Sequence, residues 1–245
     1  YNKVYFNSVK EEQVIMEFTP SYLYDKKAPE RIFSSLGKEV RFIVLLRNPV
    51  DRAYSHYLHS KRDKYETEDF LKALEKEGER ISDARKKEDY LAELRYSYVT
   101  QGHYYSMITN YLQYFPIEQF LFIHFEQEFV ANRIESMQKI FSFLGLDYIT
   151  EFDYMLKSNP ASVAKSIWIK KLLQKTGWWR SLIKEIIPSL KFRQIIKNRI
   201  QRASIIPFVP LPLITSEREK IYQLYFETEI KKLEQLLDRK MNWEV

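Results

Sequence analysis

An arginine, a proline and a serine are spaced in a way that suits binding of an anion. Arg47 ends the apolar run FIVLL, and Asn48 and Pro49 follow it. Asn is a preferred helix N-cap, and Pro is tolerated at the first helical position because its missing N–H would have no partner there. A guanidinium, the free N–H groups of the first turn and the positive end of the helix dipole would then converge on one place and bind an anion. Ser55 lies about two turns further along and adds a hydroxyl donor. The alternative is an Arg that pairs with a carboxylate at the strand end.

A carboxylate, Glu17, is predicted to share an edge of a sheet with this arginine. The apolar runs at 13–18 and 40–46 predict two buried strands, and residues 22–36 between them predict a helix. This order is typical of a right-handed βαβ unit, which places Glu17 and Arg47 at the carboxyl edge of a parallel sheet, where ligands bind. Two interpretations of Glu17 stay open. It caps a helix or pairs with a cation, or it is a general base that takes a proton from an acceptor.

Later segments continue the α/β pattern. Residues 120–125, FLFIHF, predict another buried strand, and residues 132–144 predict an amphipathic helix after it. His124 lies within that strand and is expected to be a core histidine with its hydrogen bonds satisfied. Residues 215–237 predict a final helix with an apolar stripe. We therefore expect an α/β fold in which helices flank a parallel sheet.

These residues resemble a known family. The stretch RNPVDRAYSHY, residues 47–57, is similar to the 3′-phosphate-binding motif of PAPS-dependent sulfotransferases. Those enzymes move a sulfuryl group from 3′-phosphoadenosine 5′-phosphosulfate (PAPS) to an acceptor hydroxyl or amine and release 3′-phosphoadenosine 5′-phosphate (PAP). The resemblance implies that Arg47 and Ser55 hold the 3′-phosphate, and it implies the family's P-loop-kinase-like fold. The match is strongest with the branch that holds the heparan sulfate sulfotransferases and many bacterial homologues.

Two further segments carry the resemblance. EFTPSYL, residues 17–23, is similar to the Glu-x-(Thr/Ser)-Pro-x-Tyr segment of this branch, which implies that Glu17 is the catalytic base. Phe18 stands where the heparan sulfate enzymes often have Lys, which argues against a heparan-like acceptor. NPASVAKS, residues 159–166, resembles the region before a late basic loop that closes over the 3′-phosphate. Lys165 is therefore a candidate phosphate ligand.

The Gly-rich loop that cradles the 5′-phosphosulfate in this family has no counterpart in the sequence. SSLGKEV, residues 34–40, contains Gly-Lys but precedes a strand instead of following one. We therefore expect the chain as given to lack the N-terminal phosphosulfate-loop unit and to be an incomplete catalyst. The alternative function is a non-catalytic module, derived from a sulfotransferase, that binds a nucleotide, a polyanion or a membrane. A phosphoryl-transfer enzyme is disfavoured because no Walker A motif is present.

Composition narrows the class of protein. The chain has 245 residues, 45% of them hydrophobic and none of them Cys, which predicts one domain over 1–245 without disulfides or thiolate metal sites. The resemblance implies that this domain is sulfotransferase-like and that PAPS is its co-substrate. No cluster with metal-ligand spacing is present in the sequence, so we expect no metal. The sequence contains no run of 18 apolar residues, so it predicts no transmembrane helix. We expect a cytoplasmic location, membrane-peripheral if a surface of the protein rests on lipid.

The positive charge is concentrated in one segment. Residues 157–202 hold twelve Lys or Arg and one acidic residue, a net charge of +11, so the rest of the chain carries −5 of the total of +6. Trp168, Trp178 and Trp179 lie between these cations, and a Pro-rich stretch at 207–212 follows. Three interpretations stay open: a surface for an anionic membrane or polyanion, a solvated face, and, least favoured, a nucleic-acid surface. Carbohydrate, lipid and small-molecule hydroxyls all stay open as acceptors.

Overall fold

The computed structural model of the chain describes residues 14–154, 162–164, 205–207 and 212–243. The chain divides into two compact units. The first comprises Tyr1–Tyr57, Glu68–Met155 and Ile214–Val245, and the second comprises Leu58–Thr67 and Leu156–Leu213. The single domain predicted over 1–245 stays a prediction. No helix in the described ranges combines the length and the apolar character needed to cross a bilayer.

The described secondary structure follows in chain order. The strands are β1 (Phe42–Leu46), β2 (Phe120–His124), β3 (Ser162–Ala164) and β4 (Ile205–Pro207). The α-helices are α1 (Ala28–Leu36), α2 (Pro49–Arg62), α3 (Phe70–Glu75), α4 (Glu77–Lys86), α5 (Tyr90–Tyr96), α6 (Tyr104–Tyr111), α7 (Arg133–Leu144), α8 (Thr215–Ile221) and α9 (Glu227–Leu237). Short 3₁₀ turns span Pro20–Tyr22, Thr100–Gly102 and Ile117–Gln119, and π-helical turns span Phe125–Val130 and Tyr222–Phe226.

The two strands of the first unit are parallel neighbours. β1 pairs with β2 in a register that runs from Phe42 opposite Phe120 to Leu46 opposite His124. Parallel strands need a long crossover connection, and here α2 to α6 lie in the chain between them. The predicted α/β class with a parallel sheet is confirmed. In the second unit, β3 and β4 form a short antiparallel pair.

The strand predicted at 13–18 is wrong over its described part. Residues 14–18 have no regular secondary structure, and the side chains of Met16 and Phe18 are 68% and 83% exposed. A strand exists only where a neighbouring backbone completes its ladder, and the described partner of β1 is β2. An apolar run alone does not supply that partner. The helix predicted from residue 22 also begins later, at Ala28, with Pro29 in its first turn.

Aromatic rings fill the core around the two strands. Phe42 stacks on Phe120 with ring centroids 4.7 Å apart, and Phe115 meets Phe42 edge-on at 4.8 Å. Leu46, at the end of β1, is fully buried. The final helix predicted over 215–237 is present, but the π-turn interrupts it and directs the fully buried Phe226 into the core. This packing fixes the carboxyl ends of β1 and β2, where the candidate site lies.

Candidate functional site

Arg47 lies directly after β1, and its backbone and side chain are both held by protein groups. The Tyr104 hydroxyl donates a 2.9 Å hydrogen bond to the Arg47 carbonyl oxygen. The guanidinium carbon lies 5.6 Å from the centroid of the Phe125 ring, within the range of a cation–π contact. Phe125 follows β2, so the parallel pairing of the two strands brings these residues together. The side chain of Arg47 remains 38% exposed, so it can reach a ligand.

Glu126 is the acidic partner of this arginine. One carboxylate oxygen lies 3.6 Å from Arg47 Nε, and the Asn48 N–H donates to both oxygens at 3.3 Å. Glu126 is in the π-turn that begins immediately after β2. No sequence motif assigned Glu126 to the site. Its position after a predicted buried strand was the available signal, because residues that follow neighbouring parallel strands meet at one sheet edge.

The start of α2 is capped as predicted. Asn48 is buried, and its Oδ1 accepts hydrogen bonds from the Val50 N–H at 2.9 Å and the Asp51 N–H at 3.3 Å. The Arg52 N–H donates to the Asn48 carbonyl oxygen at 2.9 Å. Since Pro49 has no N–H and the Asn48 N–H meets Glu126, protein acceptors use every donor of this first turn. The expectation that free backbone N–H groups here would bind the anion is therefore wrong.

Ser55 lies seven residues after Asn48 on α2. Seven residues are about two helical turns, so both residues lie on the same helix face. Ser55 is half-buried, and within the described part of the chain its hydroxyl makes no hydrogen bond. The Ser55 hydroxyl is therefore a donor that a ligand could use, on the face of α2 whose first residue follows Arg47 and Asn48.

Arg52 and the buried Glu77 connect α2 to the core. Arg52 is half-buried, and its Nη2 donates to the Tyr98 carbonyl oxygen. Glu77 accepts the N–H groups of Val99 at 2.5 Å and Thr100 at 2.8 Å. Burial raises the pKa of Glu77, and the two N–H groups and Arg52 oppose that rise. Burial lowers the pKa of Arg52, with Tyr104 and Glu77 opposing. The second arginine of the motif therefore anchors α2 to the core.

Tyr104 is a neutral hydrogen-bond donor under physiological conditions. Its side chain is buried, and burial raises the pKa of Tyr104 to about 12. The hydroxyl therefore keeps its proton at neutral pH and can donate it to the Arg47 carbonyl. This contact links α6 to the end of β1.

Glu17 lies in a separate segment with its own partners. The side chain is exposed, and one oxygen accepts a 2.7 Å hydrogen bond from Thr19 Oγ1. The Tyr22 hydroxyl lies 3.0 Å from each carboxylate oxygen. Glu17, Thr19 and Tyr22 all belong to the EFTPSYL segment, so this local sequence orients the carboxylate without the predicted strand. An exposed, oriented carboxylate can accept a proton from a bound hydroxyl.

Two other residues considered in the sequence, Lys165 and His124, differ in what the structure describes of them. Lys165 lies outside the described residues, as does most of the basic segment at 157–202. His124 is buried; its Nε2 lies 2.8 Å from the Met241 carbonyl oxygen, and its Nδ1 accepts the Gln127 N–H at 3.2 Å. Both ring nitrogens have partners, so the prediction of a satisfied core histidine is confirmed.

The chain is similar to known sulfotransferases. The family model described as "Sulfotransferase domain" matches residues 7–194 of the chain. Heparan sulfate glucosamine 3-O-sulfotransferase 3A1 of Mus musculus is 31% identical over 57% of this chain and 33% of its own length. The 3B1 protein of Homo sapiens is 32% identical over 56% and 32%. The match thus spans about a third of the length of these curated relatives.

A solved structure shares the fold. The crystal structure of a sulfotransferase from Alicyclobacillus acidocaldarius superimposes with a TM-score of 0.62 at 23% sequence identity. The match covers 96% of this chain and 69% of that one.

Proposed function

The chain belongs to the sulfotransferase family, and from this we propose that it transfers a sulfuryl group from PAPS to an acceptor hydroxyl. In this proposal PAPS is the co-substrate and PAP the product. The observation that carries the proposal is the placement of Arg47. It lies at the end of a buried parallel strand, beside the start of α2, with a partly exposed guanidinium.

Arg47 and Ser55 would hold the 3′-phosphate. A guanidinium binds a phosphate through two parallel N–H···O bonds, and a hydroxyl on the following helix adds a third donor. With the N–H groups of the first turn of α2 already used by protein acceptors, these side chains would supply the direct contacts from this part of the chain. Lys165 would add a cation from the segment after residue 157.

Glu17 would act as the general base. The acceptor hydroxyl gives its proton to the Glu17 carboxylate, the acceptor oxygen forms a bond to sulfur, and the bond between sulfur and the bridging oxygen of PAPS breaks. PAP leaves with the electron pair of that bond. Such transfer depends mainly on positioning and charge stabilisation, as phosphoryl transfer does. The hydrogen bonds from Thr19 and Tyr22 support this role because they fix the carboxylate.

We propose a carbohydrate hydroxyl as the acceptor. The named relatives are heparan sulfate glucosamine 3-O-sulfotransferases, whose acceptor is a sugar. Phe18 is 83% exposed at the position where the heparan sulfate enzymes often carry Lys. We therefore expect a sugar acceptor that is contacted differently next to the base.

Calorimetric titration with PAP and, in parallel, with 5′-AMP tests the nucleotide site. We expect PAP to bind more tightly because only PAP carries the 3′-phosphate. Replacing Arg47→Ala should weaken PAP binding by roughly ten- to a hundredfold, the worth of a charged hydrogen bond, and leave 5′-AMP unaffected. Arg31→Ala is a matched control, since Arg31 is exposed and pairs with Asp25 at the surface. Equal affinities for the two nucleotides in the unaltered chain would contradict the assignment.

A further inference from the structure

We propose that Glu126 is a positioning residue that sets the orientation of the Arg47 guanidinium, so that its two terminal nitrogens face the nucleotide. This inference rests on the proposed function, because it concerns how the same arginine would receive the 3′-phosphate. Glu126 contacts Arg47 and Asn48, and it need not touch the nucleotide itself.

The contacts of Arg47 divide its guanidinium into a held side and an open side. Nε lies 3.6 Å from Glu126 and has no solvent exposure, although the whole side chain is 38% exposed. The Phe125 ring lies 5.6 Å from the guanidinium carbon. Within the described residues, Nη1 and Nη2 make no hydrogen bond, and the shortest distance from the guanidinium to the Glu126 carboxylate is at Nε. Glu126 therefore contacts the guanidinium at Nε. The two terminal nitrogens are the pair that can bind a phosphate bidentately.

Glu126 is itself fixed, which a positioning residue requires. Both of its oxygens accept the Asn48 N–H at 3.3 Å, so the carboxylate is tied to the backbone at the start of α2. The π-turn that carries it is anchored by Glu128, which accepts the His124 N–H at 2.6 Å and pairs with Arg239 at 3.0 Å and Lys139 at 3.1 Å. π-helical turns frequently occur at functional sites. Here the turn brings Phe125 and Glu126 to Arg47 together.

The negative charge of Glu126 would also repel a bound phosphate. The position of the carboxylate relative to Arg47 decides whether this repulsion or the orientation of the guanidinium dominates. The carboxylate lies on the Nε side, and it is partly neutralised by Arg47 and the Asn48 N–H. Its repulsion of an anion held by the terminal nitrogens is weakened by distance and by solvent at this partly exposed position. A misdirected guanidinium, in contrast, loses the bidentate contact itself. We therefore expect orientation to outweigh repulsion.

Three variants of the whole chain test the inference by titration with PAP and 5′-AMP. Glu126→Ala should lower the preference for PAP over 5′-AMP by about tenfold, the effect of one well-oriented charged hydrogen bond. Glu126→Gln should keep most of the preference, because its amide oxygen can still accept the Asn48 N–H and lie beside Arg47 Nε. Glu118→Gln, which changes an exposed carboxylate in the 3₁₀ turn before β2, is the control and should leave the preference unchanged.

A second readout does not depend on the nucleotide. The Nε–H signal of Arg47 in a ¹H–¹⁵N NMR spectrum, assigned by its loss in Arg47→Lys, should exchange slowly with water in the unaltered chain and quickly in Glu126→Ala. An unchanged exchange rate in Glu126→Ala would overturn the inference, and so would tighter PAP binding by that variant, since Glu126 would then act as a competitor. If the unaltered chain does not prefer PAP, the proposed function fails, while this exchange rate still decides whether Glu126 positions Arg47.

Discussion

Tyr104 shows how a single buried side chain supports the site from within the core. Its hydroxyl reaches the backbone of Arg47, so it fixes where the chain leaves β1 without meeting a ligand. Its neighbour Trp243 packs against the ring with centroids 6.0 Å apart. Glu126 and Arg52 also contact protein groups. Glu126 lies beside the Arg47 side chain, and Arg52 ties α2 to the Tyr98 carbonyl oxygen. At this scale the site is a set of fixed donors and acceptors around one partly exposed guanidinium.

Replacing Tyr104→Phe should destabilise the fold by about 1 kcal/mol at neutral pH, because one buried hydrogen bond is lost. The unaltered chain should also lose stability between about pH 10 and 12, since the unfolded state releases the Tyr104 proton that the folded state retains. Removing this residue should reduce that alkaline loss by roughly 2–3 kcal/mol, the value of a shift of about two pKa units. Urea unfolding at several pH values measures both effects.

Tyr114→Phe is the control at neutral pH. Tyr114 is half-buried, and within the described ranges its hydroxyl makes no hydrogen bond. Its loss should change stability by less than about 0.5 kcal/mol. An equal alkaline loss in the unaltered chain and in Tyr104→Phe would show that Tyr104 does not cause it.

At the scale of elements, the short turn Thr100–Gly102, between α5 and α6, packs against the C-terminal part of the chain at Phe226. Gly102 is buried, and a Cβ at this position would lie 2.7 Å from a ring carbon of Phe226. Phe226 is fully buried and ends the π-turn between α8 and α9. The missing side chain at Gly102 therefore lets the C-terminal helices pack next to Tyr104.

Gly102→Ala should destabilise the protein by roughly 1–3 kcal/mol, the usual cost of overpacking a filled core. Gly78→Ala is the matched control, because Gly78 is exposed in α4 and a Cβ there would meet nothing within 4 Å. That change should stabilise the protein by about 0.4–1 kcal/mol, since Ala restricts the unfolded chain. Thermal unfolding of both variants measures the difference in stability. Equal stabilities of the two variants would show that the Phe226 ring moves aside with no loss of folding free energy.

At the scale of the whole molecule, binding and chemistry are assigned to separate segments of the first unit. Arg47 and Ser55 lie at and after the end of β1, while Glu17 lies in the irregular segment before Pro20–Tyr22. The charge of the chain is divided as well, with +11 in residues 157–202 and −5 elsewhere. We keep a polyanion or an anionic membrane as the proposed partner of that basic segment.

The separation predicts that Glu17→Gln lowers turnover and spares nucleotide binding. Without a general base, formation of PAP from PAPS with a panel of carbohydrate acceptors, measured in a form of the protein that carries a phosphosulfate loop, should slow by about 10²–10⁴-fold. The calorimetric affinity for PAP should stay the same. Glu30→Gln, an exposed carboxylate in the first turn of α1, is the control and should retain activity. Unchanged turnover in Glu17→Gln would show that another group takes the proton.

The sequence by itself determined the local features of this protein. The buried strand at 42–46, the Asn48 cap, Pro49 in the first turn of α2 and the strand-end position of Arg47 all depend on neighbouring residues, which is why they could be predicted. The family resemblance rested on residues 47–57 together with the shorter segments 17–23 and 159–166, and the family match confirms it.

Only the tertiary structure decided what surrounds these residues. Glu126 is 78 positions from Asn48, and the parallel pairing of β1 with β2 brings them together. The same pairing gives the Asn48 N–H an acceptor in Glu126. The tertiary structure also decided that residues 14–18 form no strand within the described chain. Hydrogen-bond partners from distant segments are fixed by register and packing, and a local pattern of residues carries neither.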